Sequence, residues 1–311
     1  MRPMEAGAAI SVHQLTRRFG QSLAVNQLSF DVASGAICGV VGPNGAGKST
    51  TFRILCGLLR PTSGGVTLMG RDVVNDATAV ATCVGLLPET PHFYPYMNGE
   101  KNLWALAQMS SGRVTRDRCT QLLELTGLSK AATRAVSTYS AGMKQRLALA
   151  AALLTDPPIL LLDEPTAGLD PTGALELRAL IRSLAGEGRT VLMATQALDE
   201  AERTCTQLIV LSRGELRADV QVRDLLAPSG LRMRVNPVAD ALRILNAIDG
   251  VRAATVGADA ITVEHGIPVH DLVRALVLGG VDVSEVTTHR ETLEHHFLQL
   301  TAERTTMASQ A

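Results

Sequence analysis

The stretch Gly42-Pro43-Asn44-Gly45-Ala46-Gly47-Lys48-Ser49-Thr50 constrains this chain more than any other, because it fits G-x-x-x-x-G-K-[ST], the pattern of a phosphate-binding loop. Such a loop has meaning only between a strand and a helix, and both flanks suit. Residues 36–41 are an apolar run of strand length, and residues 51–59 carry apolar positions at helical spacing. The glycines let successive backbone N–H groups turn inward as a nest for phosphate oxygens at a helix N-terminus. Lys48 would reach the β and γ phosphates. Ser49 would offer its hydroxyl to Mg²⁺, which prefers hard oxygen ligands.

Around this loop the pattern is that of an α/β core. Residues 10–15 alternate like an edge strand, Phe19-Gly20 marks a turn, and residues 28–32 alternate again. These strands are expected beside the loop, where the face of Phe19 can stack on an adenine ring. A lone aromatic has the simpler alternative of a place in the core. Strands follow at 66–69 and 84–87. Between about 90 and 158 the β signals vanish, and helical spacing at 102–110, 116–126 and 143–154 predicts a helical insertion. Phe93, Tyr94, Tyr96 and Trp104 place four of the nine aromatics of the chain inside it. They read either as an interface or as a local core.

Residues 159–162 are an apolar strand that ends in Asp163-Glu164. Ligands of parallel sheets bind at the carboxyl ends of strands, so Asp163 is expected to meet Mg²⁺ and Glu164 to polarise an attacking water. A further apolar strand, 190–195, delivers Thr195 and Gln196, and a hairpin is predicted over 208–212 and 215–218. The composition breaks at Pro228-Ser229-Gly230. Beyond it the pattern predicts strand 231–235, helix 238–247, strands 251–256 and 260–264, helix 269–278, strand 282–287 and helix 292–301, a small βαββαβ unit with a closing helix. His295 and His296 are adjacent and so point to different parts of that helix, which disfavours a shared metal.

A length of 311 residues suits two domains, and 46% apolar residues provide a core for each. We expect a nucleotide-binding domain over 8–227 with its helical part at about 90–158, an α+β accessory domain over 231–302, and a frayed tail at 303–311. A formal net charge of -1 gives no electrostatic reason to expect nucleic acid as a partner. The five cysteines lack C-x-x-C spacing and read as small buried hydrophobes in a reducing compartment. Residues 1–7 do not read as a signal peptide. The longest apolar run, 147–154, falls well short of the roughly twenty residues that span a bilayer, so a membrane role calls for a partner.

Tyr139-Ser140-Ala141-Gly142-Met143-Lys144-Gln145-Arg146 narrows the field, because it resembles the signature motif of ABC-transporter ATPases. The resemblance runs from about residue 10 to 226. It places Phe19 at the adenine-stacking position, Glu89 where a glutamine is usual, Asp163 and Glu164 as metal ligand and base, Asp170 in the loop that crosses a dimer interface, and Gln196 where the family normally has histidine. Residues 291–300 are similar to the ending of export ATPases of the daunorubicin-resistance type, which favours export over import.

The family implies a dimer that closes on two ATP molecules, each held between the phosphate loop of one subunit and Ser140, Ala141 and Gly142 of the other. It also implies a separate integral membrane permease and a location on the cytoplasmic face of the membrane. The aromatic-rich segment after Glu89 lies where family members receive a helix of that permease. Three residues depart from the common pattern. Glu89 keeps a hard oxygen for Mg²⁺. Ala141 adds a methyl group where the family has glycine. Gln196 can donate a hydrogen bond but cannot change charge as histidine does, so slow turnover is expected. A regulatory ABC protein with weak hydrolysis and a soluble non-transport ABC ATPase are the alternative readings. The second usually carries two cassettes or long inserted coiled coils, neither of which this chain shows.

Overall fold

The computed structural model describes residues 7–110, 114–225, 230–256 and 259–289. They fall in two compact units, divided between Val222 and Arg223. The first opens with β1 (Ala8–Phe19), β2 (Ser22–Ala33), β3 (Ile37–Val41), α1 (Lys48–Leu55), β4 (Ser63–Leu68), β5 (Arg71–Asp72), α2 (Ala77–Cys83) and β6 (Val84–Leu87). Three helices follow, α3 (Gly99–Met109), α4 (Arg116–Leu125) and α5 (Ala141–Ala152). The unit then runs through β7 (Ile159–Asp163), α6 (Pro171–Gly186), β8 (Thr190–Thr195), α7 (Leu198–Thr204), β9 (Gln207–Ser212) and β10 (Glu215–Gln221), and a single turn, α8 (Val222–Leu225), comes next.

The central sheet has the order β10-β9-β3-β8-β7-β6, parallel except for β10. Every residue of β3 and β8 is buried, and so are the first four of β7. That is why these strands read as unbroken apolar runs: a sheet covered on both faces has no polar side to alternate with. The register pairs Val41 with Thr195 and Asp163 with Ala194, so β3, β8 and β7 end side by side. The phosphate loop, Gln196 and the Asp163-Glu164 pair follow from those three ends.

A second, antiparallel sheet has the order β2-β1-β4-β5. The expectation that residues 10–15 form an edge strand is corrected, because β1 pairs with β2 on one side and with β4 on the other. Alternation reports that one face of a strand is buried; it carries no information about how many neighbours the strand has. Ile10, Val12, Leu15, Leu28, Phe30 and Val32 of this sheet form one core with Phe52, Ile54 and Leu55 of α1 and with Leu161 of β7.

The helical insertion starts its elements at caps. Asn98 accepts from the Lys101 amide and Thr115 from the Arg118 amide, which carries α3 back to Gly99, three residues ahead of the apolar spacing. Residues 90–158 contain no strand among the described residues before β7, as expected.

The second unit holds β11 (Gly230–Asn236), α9 (Val238–Asn246), β12 (Val251–Thr255), β13 (Ala260–His265), α10 (Val269–Leu278) and β14 (Asp282–His289). This is the βαββαβ order, folded as an antiparallel sheet β12-β13-β11-β14. Met233, Val235, Ile261 and Val263 pack with Leu245, Leu272 and Leu276 of its helices in a core of its own. The predicted helix 292–301, His295, His296 and the tail 303–311 lie outside the described residues. Among the described residues no helix is long and apolar enough to cross a membrane. All five cysteines are free, and four of them are buried.

Candidate nucleotide-binding and catalytic site

The phosphate loop leaves β3 and enters α1 by a route that only small residues can follow. A Cβ on Gly42 would collide with the Leu211 carbonyl, and one on Gly47, where φ is 101°, would lie 2.6 Å from the Ala24 carbonyl oxygen. Lys48, buried at the start of α1, donates to the Gly42 carbonyl at 2.7 Å and the Pro43 carbonyl at 3.3 Å. Its ammonium is thereby folded back under the loop. Burial lowers the Lys48 pKa, opposed by Glu164, Asp163 and Glu89.

A cavity of about 360 Å³ opens over this loop. Asn44 to Thr50 form its floor, Asp163, Glu164, Gln196 and Glu89 stand on its walls, and Ser22, Leu23 and Ala24 of β2 close another side. Residues from five separate stretches of sequence therefore meet in one place. Asp163 and Ser49 line the same cavity, and burial followed by the neighbouring Glu89 and Glu164 carboxylates raises the Asp163 pKa, opposed by Ser49 and Lys48. Cys56, the residue that follows the end of α1, is pushed up to about 12 by burial and by Asp163. This crowd of hard oxygens fits a divalent cation. Among the described residues no group of three His, Cys, Asp or Glu side chains is placed to hold a metal ion by itself.

Glu164 is held in an unusual way. Its φ is 48°, in the left-handed region, its amide donates to the Ala194 carbonyl at 2.9 Å, and its Oε1 is buried with no hydrogen-bond partner among the described residues. A strained backbone that presents a bare carboxylate oxygen beside a phosphate loop is an arrangement expected of a proton acceptor.

Other expected residues lie elsewhere. Ser140, Ala141 and Gly142 do not line the cavity. Ser140 caps α5 by accepting from the Met143 amide at 3.3 Å. Ala141 is the first residue of that helix and is absent from the left-handed residues, so its methyl group strains nothing here. A Cβ on Gly142 would meet Leu169 at 3.6 Å, which puts the start of α5 against the loop that ends at Asp170, the residue preceding α6. Phe19 is 44% exposed and is therefore not core. The Arg17 guanidinium sits 4.5 Å from the centre of its ring, on a face the sequence reading had left for adenine.

The insertion aromatics divide between the two readings offered for them. Tyr94 and Tyr96 are exposed, with ring centres 6.0 Å apart, and Arg116 covers Trp104 at 4.4 Å. Phe93 lines a groove of about 400 Å³ with Pro88, His92, Leu106, Met109 and Ala148. Sequence reasoning missed Glu200, buried on α7, to which the Thr195 hydroxyl donates. The only trace in the sequence is a glutamate four residues beyond Gln196.

Fold and cavity together define a phosphate-loop nucleoside triphosphatase with Asp163 and Glu164 at the end of β7, two strands from the strand that feeds the loop. Residues 25–167 match the ABC transporter family. The chain is 36% identical over 296 residues, 94% of its length and 95% of the relative's, to an uncharacterised ABC transporter ATP-binding protein, YdbJ, of Bacillus subtilis. It is 37% identical over 310 residues (96% and 97%) to the daunorubicin resistance ATP-binding protein DrrA3 of Streptomyces coeruleorubidus. The bacitracin transport ATP-binding protein BcrA of Enterococcus faecalis is 32% identical (94% and 96%). Among solved structures, the dimeric MJ0796, a bacterial ABC transporter cassette, superposes with a TM-score of 0.62 at 26% identity, over 69% of this chain and 99% of its own. The chain belongs to the ABC transporter ATP-binding family and is an ATPase of that family.

Proposed function

We propose that this chain is the ATP-hydrolysing subunit of an exporter, that it works as a dimer closed by Mg²⁺ and ATP, and that it is held at the cytoplasmic face of the membrane by a separate permease. The observation that carries the reading is that Ser140 to Gly142 stand apart from the cavity, on the start of α5, while Lys48, Ser49, Asp163 and Glu164 line it. A second subunit facing the loop would supply its own Ser140 and Gly142 at a helix N-terminus, where negative charge is favoured. The dimeric state of MJ0796 supports the same arrangement.

In this reading Lys48 and the amides of residues 44–50 bind and orient the triphosphate. Ser49, Asp163 and Glu89 would hold Mg²⁺, which supplies charge neutralisation at the transferring phosphoryl group when bound. Glu164 Oε1 takes the proton of the attacking water, and Gln196 donates from the end of β8 towards the terminal phosphate. The free face of Phe19, opposite Arg17, accepts the adenine ring. The daunorubicin-resistance and bacitracin-transport names of the two relatives favour an exported small molecule as cargo. The groove containing Phe93, with exposed Tyr94 and Tyr96 at the same insertion, suits a helix of the permease.

Co-purification tests the transport reading. Tagged chain expressed with its neighbouring reading frames should retain a membrane protein of several helices, and detergent-solubilised complex should hydrolyse ATP faster than the chain alone. A chain that retains no membrane protein under those conditions contradicts it.

A further inference from the structure

Glu200 is 4% exposed, in a position where a charged carboxyl is expensive unless it is satisfied. Thr195 Oγ1 donates to its Oε2 at 3.0 Å, and the same oxygen of Thr195 accepts from the Ala197 amide at 3.1 Å. The Glu200 Oε1 is buried with no hydrogen-bond partner among the described residues. Burial raises the Glu200 pKa, the Thr166 and Thr195 hydroxyls pull it back, and Glu164 is near enough to push it up again.

These contacts fix the turn that carries Gln196, since Thr195 and Ala197 flank it on either side. A backbone bond, Glu164 N–H to the Ala194 carbonyl at 2.9 Å, ties Glu164 to the end of β8, the strand that leads into this turn.

We propose that Glu200 is a positioning residue, which holds the Gln196 turn through Thr195 so that the Gln196 amide keeps its place at the end of β8. The inference rests on the roles given to Glu164 and Gln196 above. Glu200 lies outside the phosphate loop, and Gln196 acts at the terminal phosphate during transfer, so the loss of Glu200 belongs in kcat and not in KM.

Steady-state ATP hydrolysis by the full chain tests it, with Glu200→Ala, Glu200→Gln, Gln196→Ala, the double variant Glu200→Ala/Gln196→Ala, and Glu164→Gln as the reference. Glu200→Ala is expected to lower kcat at least tenfold with KM for ATP within threefold of the parent. Glu200→Gln, which still accepts from Thr195, is expected to keep at least a third of kcat. In the Gln196→Ala background the same Glu200→Ala change should cost less than threefold, because the partner it positions is gone. Should Glu200→Ala fail to fold, Thr195→Val removes the link with little change of shape and is expected to lower kcat at least threefold. A kcat within twofold of the parent for Glu200→Ala or Thr195→Val overturns the proposal, and so do losses that multiply in the double variant. If Glu164→Gln turns over normally, the role of the base is what fails; if Glu164→Gln is inactive and Glu200→Ala is normal, only the positioning role fails.

Discussion

Asp163 carries opposite demands from folding and from catalysis. Burial and two neighbouring carboxylates hold its pKa above the ordinary 3.8, so at pH 7 its charge costs the nucleotide-free protein stability. Below pH 3.8 the group is protonated in folded and unfolded chains alike, and the cost is gone. Asp163→Asn is therefore expected to abolish hydrolysis yet raise the melting temperature in chelator at pH 7 by a few degrees, as about 1 kcal/mol corresponds to about 2–4 °C for a domain of this size. The gain should shrink as pH falls towards the ordinary aspartate range, and calorimetry across pH reads it. Glu164→Gln should lower kcat about 10²–10⁴-fold while ATP binding persists, since it removes the proton acceptor and keeps the shape. Gln196→His should raise the hydrolysis rate; an unchanged rate would mean that the amide does the work of the imidazole. Lys48, Ser49, Asp163 and Glu164 were legible because their chemistry needs fixed residue types beside a loop or at a strand end. Glu200 was not, because a buried carboxylate and a solvated one look the same in a sequence, and only the fold brings Thr166 and Thr195 to it.

At the scale of elements, helix α5 does two jobs. Its N-terminal turn presents Ser140 and Gly142, and its body buries Leu147 and Leu149. Ser140→Ala removes the cap and should cost about 1 kcal/mol of stability, read by denaturant melts, together with a weaker ATP-driven dimer. Tyr94 and Tyr96 sit at the mouth of the insertion, and Tyr96→Ala should leave hydrolysis by the isolated chain unchanged but weaken capture of the membrane partner, by about 2 kcal/mol if it is an anchor. Elements of strong period were legible, and their boundaries were moved by caps such as Asn98. Alternation over residues 10–15 revealed a strand but misplaced it at an edge, because β4 arrives from 50 residues downstream through contacts no local pattern encodes. Helices α2 and α7, at seven residues each, are too short to show two turns of spacing.

For the whole molecule, the proposed site is complete only across two chains. The cavity over Gly42 to Thr50 gathers Lys48, Ser49, Asp163 and Glu164, while Ser140 to Gly142 do not line it. The second unit, with its own core and its βαββαβ order, was legible from period, most clearly in β11, where buried and exposed residues alternate. Its cassette neighbour was legible through motif order. The composition break at Pro228 marked the division only approximately, for the compact units part between Val222 and Arg223. What no single chain reveals is how ATP brings two copies together, and sedimentation of Glu164→Gln protein measures it most directly. With Mg²⁺ and ATP this variant should run as a dimer, and as a monomer with ADP or when Ser140→Arg is added. A monomer at saturating ATP, or a dimer indifferent to nucleotide and to Ser140→Arg, would contradict a composite site.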